Sequence, residues 1–342
     1  TITDNDKKRK HKWTVSQLIK KLAKNQHFEI SLIPKDYLLE EKMRDFMDAL
    51  SPNNRKLGED LLLHTVDTLT DEMEIPYQFD WLVGVRLRKH DKASSLTDLA
   101  YERFSELTET IANGLGFELE EEKPWYEDYL SDEQDCFQIL SALRCRRLTN
   151  EELFYYQRMQ YLRYVPHFKG EVLANRSLFN VTDTLIKSLS GGFLKLESPY
   201  GTSFVTILPV GKFNTIFNGF HLGEFIQRLN FPVELQIKAE FIDRNKIKGK
   251  MGRSNTRYKN IMEEADSTNT VQQDEIIMGS FYLKDLMKKV GNKEDIIEYG
   301  AYLIVSASSI TQLRNRRQVV LNYFDAMRVE ISEASHDTPY LF

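Results

Sequence analysis

Apolar and polar residues alternate in two short segments of the first half of the chain, which predicts strands. Segments 28–33 and 78–87 place apolar side chains at every second position, the period of a strand buried on one face. Thr149 and Glu152 have the spacing of a capping box at the start of a helix. The helical patterns of this half predict helices at 37–50, 55–73, 95–113, 124–143 and 149–164.

The second half repeats the alternation of strand and helix. Segments 193–197 and 203–208 are predicted to form a hairpin that turns around residues 198–201, which include Pro199 and Gly201. Further strands are predicted at 233–242, 301–307 and 328–331, and helices at 222–229, 244–266, 271–290 and 311–327.

This order of elements predicts an α+β fold. We expect two strand-helix-strand-helix halves, with mixed sheets covered by helices, joined by a helical middle region. The corresponding segments are a flexible or frayed N-terminus at 1–27, a first α+β subdomain at 28–116, a helical connection at 117–170 and a second α+β subdomain at 171–342.

Composition limits the classes of protein that remain. The chain has 342 residues, 41% of them hydrophobic, and a formal net charge of -5, so it can bury a core and is not a nucleic-acid binder by bulk charge. Cys136 and Cys145 make neither a disulfide framework nor a zinc motif, and we expect reduced thiols in a cytosolic protein. No signal peptide or membrane-spanning run is present, and the initial Thr1 suggests a piece of a longer chain.

Motifs for nucleotide, metal or nucleophilic chemistry are missing from the sequence. Gly211-Lys212 and Gly249-Lys250 lack the other residues of a P-loop. The seven histidines include no pair with i, i+4 spacing, and there is no Gly-x-Ser-x-Gly elbow. We therefore assign no catalytic, cofactor-binding or metal residue, although an enzyme with an unfamiliar site stays possible.

Two basic clusters are candidates for contact with an anionic partner. The stretch 244–259 has seven basic residues and no acidic one, and its partner could be phosphate, anionic lipid or an acidic protein surface. The glycines within it predict that it is partly a loop, and a solvated helix face is the alternative interpretation. The candidate residues of both clusters are Arg244, Lys246, Lys248, Lys250, Arg253, Arg257 and Lys259, and then Arg314, Arg316 and Arg317.

Several segments resemble, in order, the N-terminal region of VirB-type ATPases of type IV secretion, of the conjugative TraE/TrsE kind. They are Ile33-Pro34-Lys35, the segment from Phe79 to Leu87, the segment from Arg147 to Leu153, and the closing run from Gln312 to Ser332. The Lys-, Asn- and Ile-rich composition is typical of a low-GC Gram-positive source.

The resemblance implies that this chain is a docking and assembly region and not an enzyme. ATP and Mg²⁺ would bind only in a C-terminal ATPase domain beyond residue 342. Partners would be membrane subunits of the transfer channel and other copies of the ATPase, at the inner face of the cell membrane. The alternative function is a nucleic-acid-binding module that uses the stretch 244–259, with an affinity that falls steeply with salt.

Overall fold

The computed structural model describes most of the chain. The described residues are 4–22, 27–36, 39–72, 77–88, 126–165, 169–174, 183–211, 222–242, 244–267, 274–334 and 337–342. The predicted helix at 95–113 lies outside them.

Helices and strands are interspersed along the described chain. The helices are α1 (Asn5–Leu22), α2 (Leu39–Ala49), α3 (Arg55–Glu72), α4 (Glu127–Ser141), α5 (Asn150–Met159), α6 (Lys169–Ala174), α7 (Leu222–Ile226), α8 (Arg244–Ser267), α9 (Asp274–Gly291), α10 (Ile310–Ala326) and α11 (Thr338–Leu341), with a 3-10 turn at Pro52–Asn54. The strands are β1 (His27–Asp36), β2 (Tyr77–Val85), β3 (Leu185–Leu189), β4 (Phe193–Ser198), β5 (Gly201–Val210), β6 (Val233–Phe241) and β7 (Ile297–Ala307).

One seven-stranded sheet, in the order β2-β1-β6-β7-β5-β4-β3, contains strands from both halves of the chain. The α+β class is confirmed, but the two halves do not build separate sheets. Alternation identifies a strand and its buried face, and it does not identify the neighbouring strand. The pairs β3–β4, β4–β5 and β5–β7 are antiparallel, and the predicted hairpin at residues 198–201 is confirmed by the pairing of Ser198 with Gly201.

The main core lies between the sheet and α10. Strand β7 alternates, so that Leu303 and Val305 join this core while Ile304 joins a smaller cluster, as the two faces of a strand require. Helix α10 contributes Leu313 and Phe324 to the same core. It begins at Ser309, whose hydroxyl accepts a hydrogen bond from the Gln312 amide at 3.2 Å, an N-cap that fixes the start of the helix.

The chain forms two compact units, and each draws on segments that are distant in sequence. The first comprises the described parts of 1–28, 85–147 and 241–296, and the second those of 29–84, 148–240 and 297–342. Each predicted subdomain, bounded at residues 116 and 170, is one continuous segment of the sequence. Each of the two observed units instead combines three separate segments.

The first unit contains two small apolar clusters. Leu22 of α1 and Cys136 of α4 are buried together in one of them, and Ile247 of α8 and Val290 of α9 in the other. Segment 1–27 is predicted to be frayed, but residues 5–22 form a helix, and burial of Leu22 against α4 stabilises its C-terminal end. The short strand predicted at 328–331 is reduced to a single bridge between Ile331 and Val210.

Tyr77 makes the stability of the second unit depend on pH. Its hydroxyl lies 2.5 Å from the Leu229 carbonyl oxygen and 3.1 Å from that of Phe231, and burial raises the pKa of Tyr77 to about 12. In the unfolded chain the phenol ionises near pH 10, as an exposed tyrosine does. Between these values only the unfolded state loses the proton, so the free energy of unfolding falls as the pH rises.

We therefore expect Tyr77→Phe to reduce the loss of stability between pH 10 and pH 12. Urea unfolding of the parent chain and of the variant across this range measures the difference. Equal slopes against pH in the two proteins would contradict a role for this phenol.

Candidate anionic-partner surface

Helix α8 carries all seven basic residues of the first candidate cluster on one continuous helix. The loop expected around Gly249 and Gly252 is not present, since α8 runs without a break from Arg244 to Ser267. An added Cβ would meet no atom within 4 Å at either glycine, so these residues lie in open space on the helix surface. The candidate residues are thus held at fixed helical spacing.

That spacing divides the basic residues into separate groups. Lys246, Lys250, Arg253 and Arg257 follow the pattern i, i+4, i+7, i+11, so they form one row, which we call the basic row, and all four side chains are exposed. Lys248 and Lys259 are exposed on another side of the helix, about 150–170° from the centre of the row.

Arg244 does not belong to either group. Its guanidinium lies 2.8 Å from the Asp295 carboxylate and 2.7 Å from the carbonyl oxygen of Lys293. These bonds fix the first residue of α8 to the segment that follows α9. Arg244 is therefore a structural residue of the first unit, and its charge is neutralised within the unit.

The basic row is unfavourable for the helix that carries it. Lys246 and Lys250 stand at i, i+4, as do Arg253 and Arg257, and like charges at this spacing destabilise a helix by about 0.2–0.5 kcal/mol for each pair. The first turn of α8 contains no acidic residue to balance the helix dipole. Binding of an anion along the row would relieve both effects.

Helix α9 packs against α8 and completes a helical hairpin. Ile247, Met251 and Val290 are buried in one cluster, and an added Cβ at Gly279 would lie 2.6 Å from the Tyr258 hydroxyl. Gly279 thus allows close approach of the two helices. The shared cluster of Ile247 and Val290 and the approach of Tyr258 to Gly279 set an antiparallel register.

The first turns of α9 expose apolar side chains, which the sequence analysis did not single out. Phe281 is 66% exposed and Met278 is 51% exposed, and together with the exposed Ile277 and Tyr282 they form what we call the apolar face. The i, i+4 spacing of these residues was readable in the sequence. Apolar residues also fill the buried side of α9, however, so the pattern alone did not tell which side faces solvent.

The second candidate cluster is not a common surface. Arg316 is buried, and its guanidinium donates to the Ser306 carbonyl oxygen at 2.5 Å and to the Tyr164 hydroxyl at 2.8 Å. It also lies over the Tyr164 ring, 4.3 Å from the centroid. Burial lowers the pKa of Arg316 to about 10, so it stays protonated at neutral pH, and its charge serves internal contacts and not a partner.

The two neighbours of Arg316 point elsewhere. Arg314 is exposed, with its guanidinium 5.8 Å from the centroid of the Phe193 ring. Arg317 donates to the Gly191 carbonyl oxygen at 3.0 Å and lies 3.4 Å from the Glu333 carboxylate. The prediction of a joint anion contact at Arg314, Arg316 and Arg317 is therefore corrected for Arg316, which is buried, whereas Arg314 and Arg317 both lie over the Phe193 ring.

Residues 118–135 contain nine acidic side chains, and their charge, opposite to that of the basic row, predicts that they could complement it in another copy. Part of this acidic stretch is used within the first unit. Asp132 accepts a hydrogen bond from the Arg88 amide at 2.9 Å, and Glu133 receives two bonds from Arg147, at 2.6 and 2.9 Å. Residues 118–125 lie outside the described part of the chain. These internal bonds remove two carboxylates from those that could complement the basic row of another copy.

In the described ranges, no group of three or more His, Cys, Asp or Glu side chains is placed to hold a metal ion. No described helix combines the length and apolar composition required to cross a membrane.

Comparison with known proteins gives one distant relative and no family. No family model matches the sequence. The chain is 22% identical over 294 residues to an uncharacterized protein, YddE, of Bacillus subtilis (strain 168). This alignment covers 84% of the chain but 34% of the relative, so the chain spans about a third of the relative's length.

Proposed function

We propose that the chain is the N-terminal assembly and docking region of a conjugative DNA-transfer ATPase of type IV secretion. In this role it couples a separate motor domain to membrane subunits of the transfer channel. ATP and Mg²⁺ bind in the motor domain and not in this region. The proposal comes from the resemblance of four segments to the VirB-type ATPases.

One observation in the second unit supports this proposed function. Two of the four resembling segments meet at Asp80, which lies in the segment from Phe79 to Leu87. Its carboxylate lies 2.6 Å from Nζ of Lys35, which belongs to the segment Ile33-Pro34-Lys35. It also accepts a hydrogen bond from the hydroxyl of Tyr156.

Tyr156 lies on α5, the helix that the third resembling segment begins. The capping box predicted from Thr149 and Glu152 is present there, with reciprocal bonds of 3.2 and 3.0 Å. Two of the resembling segments are thus bonded to each other through Lys35 and Asp80, and Asp80 also binds the helix that the third segment begins, as expected of segments with a shared role in a family. The alignment, which covers 34% of the relative, fits a region that is one part of a larger protein.

Calorimetric titration of the chain with ATP and Mg²⁺ tests the division of labour. We expect no saturable heat at high micromolar nucleotide. Saturable binding would place a phosphate site in this region, and the proposal would then have to be withdrawn.

Co-purification tests the docking role. The tagged chain is co-expressed with the integral membrane proteins encoded by the same transfer locus and is extracted in detergent, without lipid vesicles. We expect at least one channel subunit to be retained, and an unrelated integral membrane protein, as the control, to be lost. Equal retention of both would contradict specific docking.

A nucleic-acid-binding module remains the second candidate, because the basic row is exposed and regular. It predicts binding of duplex DNA that weakens steeply as salt is raised.

A further inference from the structure

The basic row of α8 and the apolar face of α9 lie on the same hairpin, and their registers can be related. Tyr258 approaches Gly279, and Ile247 lies in one cluster with Val290. The two residue numbers of each pair have the same sum, and this sum identifies the other pairs of residues that lie level with each other in the two helices. In this register Arg257 is level with residue 280. The C-terminal end of the basic row, at Arg257, therefore lies beside the turn of α9 that carries Phe281 and Tyr282.

Helical geometry also relates the sides of the two helices. The basic row is rotated by about 110° from the side of α8 that faces α9. Met278 and Tyr282 are rotated by about 90–120° from the side of α9 that faces α8, and for antiparallel right-handed helices this places them on the same flank of the hairpin as the basic row. Phe281 lies at the outer edge of that flank, about 180° from the side that faces α8.

Of the acidic residues whose side chains the structure describes, two lie on this flank. Asp285, near the apolar face, is paired with Lys289 at 2.8 Å. Glu264 continues the line of the basic row about two turns past its end. The flank therefore has a strip of positive charge next to a patch of exposed aromatic and aliphatic side chains, in a chain whose net charge is -5.

We infer that this flank of the hairpin binds the surface of a membrane that contains anionic phospholipid. The basic row contacts the headgroups, and Met278, Phe281 and Tyr282 enter the boundary between headgroups and acyl chains. Helices that lie in a membrane interface combine Lys and Arg on one side with aromatic and aliphatic residues on the other. Each basic residue near such a surface strengthens binding by about fivefold.

The apolar face favours a membrane over nucleic acid as the partner. Duplex DNA presents phosphates to a basic row, and Met278 and Phe281 would find no apolar contact along its backbone. A bilayer interface accommodates both kinds of side chain. The inference rests on the proposed docking role and adds the lipid contact by which the region reaches the channel subunits.

Co-sedimentation with vesicles tests the inference on the 342-residue chain. Vesicles of phosphatidylcholine alone are compared with vesicles of phosphatidylcholine and phosphatidylglycerol in equal parts. We expect binding to the anionic vesicles only, and weaker binding at higher salt. If the chain binds neither kind of vesicle, the inference is overturned. It is also overturned if the basic row binds duplex DNA and the chain does not bind vesicles.

Two charge-reversal variants with the same change in net charge separate the flank from the rest of the hairpin. Lys250→Glu with Arg257→Glu reverses the basic row, and we expect it to lower binding to anionic vesicles by tenfold or more. Lys248→Glu with Lys259→Glu changes the other side of α8, and we expect a loss below about threefold. Equal losses would mean that only net charge matters and would overturn the assignment of the flank.

Phe281→Trp tests insertion of the apolar face. We expect the added indole fluorescence to shift to the blue on anionic vesicles and to be quenched by brominated acyl chains. An unshifted spectrum in vesicle-bound protein would overturn insertion.

Circular dichroism checks that each variant is folded. Because the vesicles contain no protein, failure of this test leaves the co-purification result intact, and failure of co-purification leaves the lipid contact intact.

Discussion

Arg316→Ala is expected to lower the free energy of unfolding by about 3 kcal/mol. The substitution removes two hydrogen bonds, to the Ser306 carbonyl oxygen and to the Tyr164 hydroxyl. It also removes a side chain packed between the rings of Tyr164 and Phe231, and so leaves a cavity. Urea unfolding followed by circular dichroism measures the change.

Arg314→Ala is the matched control, because it removes the same side chain two residues earlier in α10. Arg314 is exposed, with its guanidinium 5.8 Å from the centroid of the Phe193 ring, so we expect a change within about 0.5 kcal/mol. Arg316→Lys keeps the charge but cannot donate in two directions from a planar group, so it should restore only part of the loss. Similar effects at positions 314 and 316 would contradict the internal role of Arg316.

Gly201→Ala is expected to lower the free energy of unfolding by about 2 kcal/mol. Gly201 begins β5 with a φ of +147°, a backbone conformation that residues with a Cβ rarely adopt. A Cβ at this position would also lie 3.3 Å from Cγ1 of the buried Val165. Thermal and urea unfolding of the variant measure this loss of stability.

Gly170→Ala provides the control in the same unit. An added Cβ at Gly170 in α6 would meet no atom within 4 Å, and alanine is the better helix former. We expect the free energy of unfolding to stay the same or to rise by up to about 1 kcal/mol. Equal destabilisation at the two glycines would show that the conformation of Gly201 is not the cause.

Local structure was predictable where neighbouring residues determine it. The capping box of Thr149 and Glu152 and the hairpin at residues 198–201 depend on contacts within four residues, and both are present. The class α+β follows from the sum of such elements. The single sheet was not predictable, since the position of β1 beside β6 depends on residues about 200 positions apart in the chain.

The candidate site was predictable only in part. Composition identified the seven basic residues of α8, but not that Arg244 is bonded to Asp295. Arg316 carried a signal that was not used, because it follows Leu313 by three residues and precedes Val320 by four, on the buried line of α10. The apolar residues on that line place Arg316 inside the fold. The sequence does not reveal the hydrogen-bond acceptors that offset the cost of burying its charge, and the structure does.

The strand order has a consequence for synthesis of the chain on the ribosome. Strand β7 is made last, yet it lies between β6 and β5 in the middle of the sheet. Until residue 307 has emerged, β5 and β6 each lack the central neighbour that joins them, and their apolar side chains stay open to chaperones and to other nascent chains. Such late closure of distant segments is slow. We therefore expect nascent chains arrested before β7 to remain sensitive to protease, and chains released after α10 to become resistant.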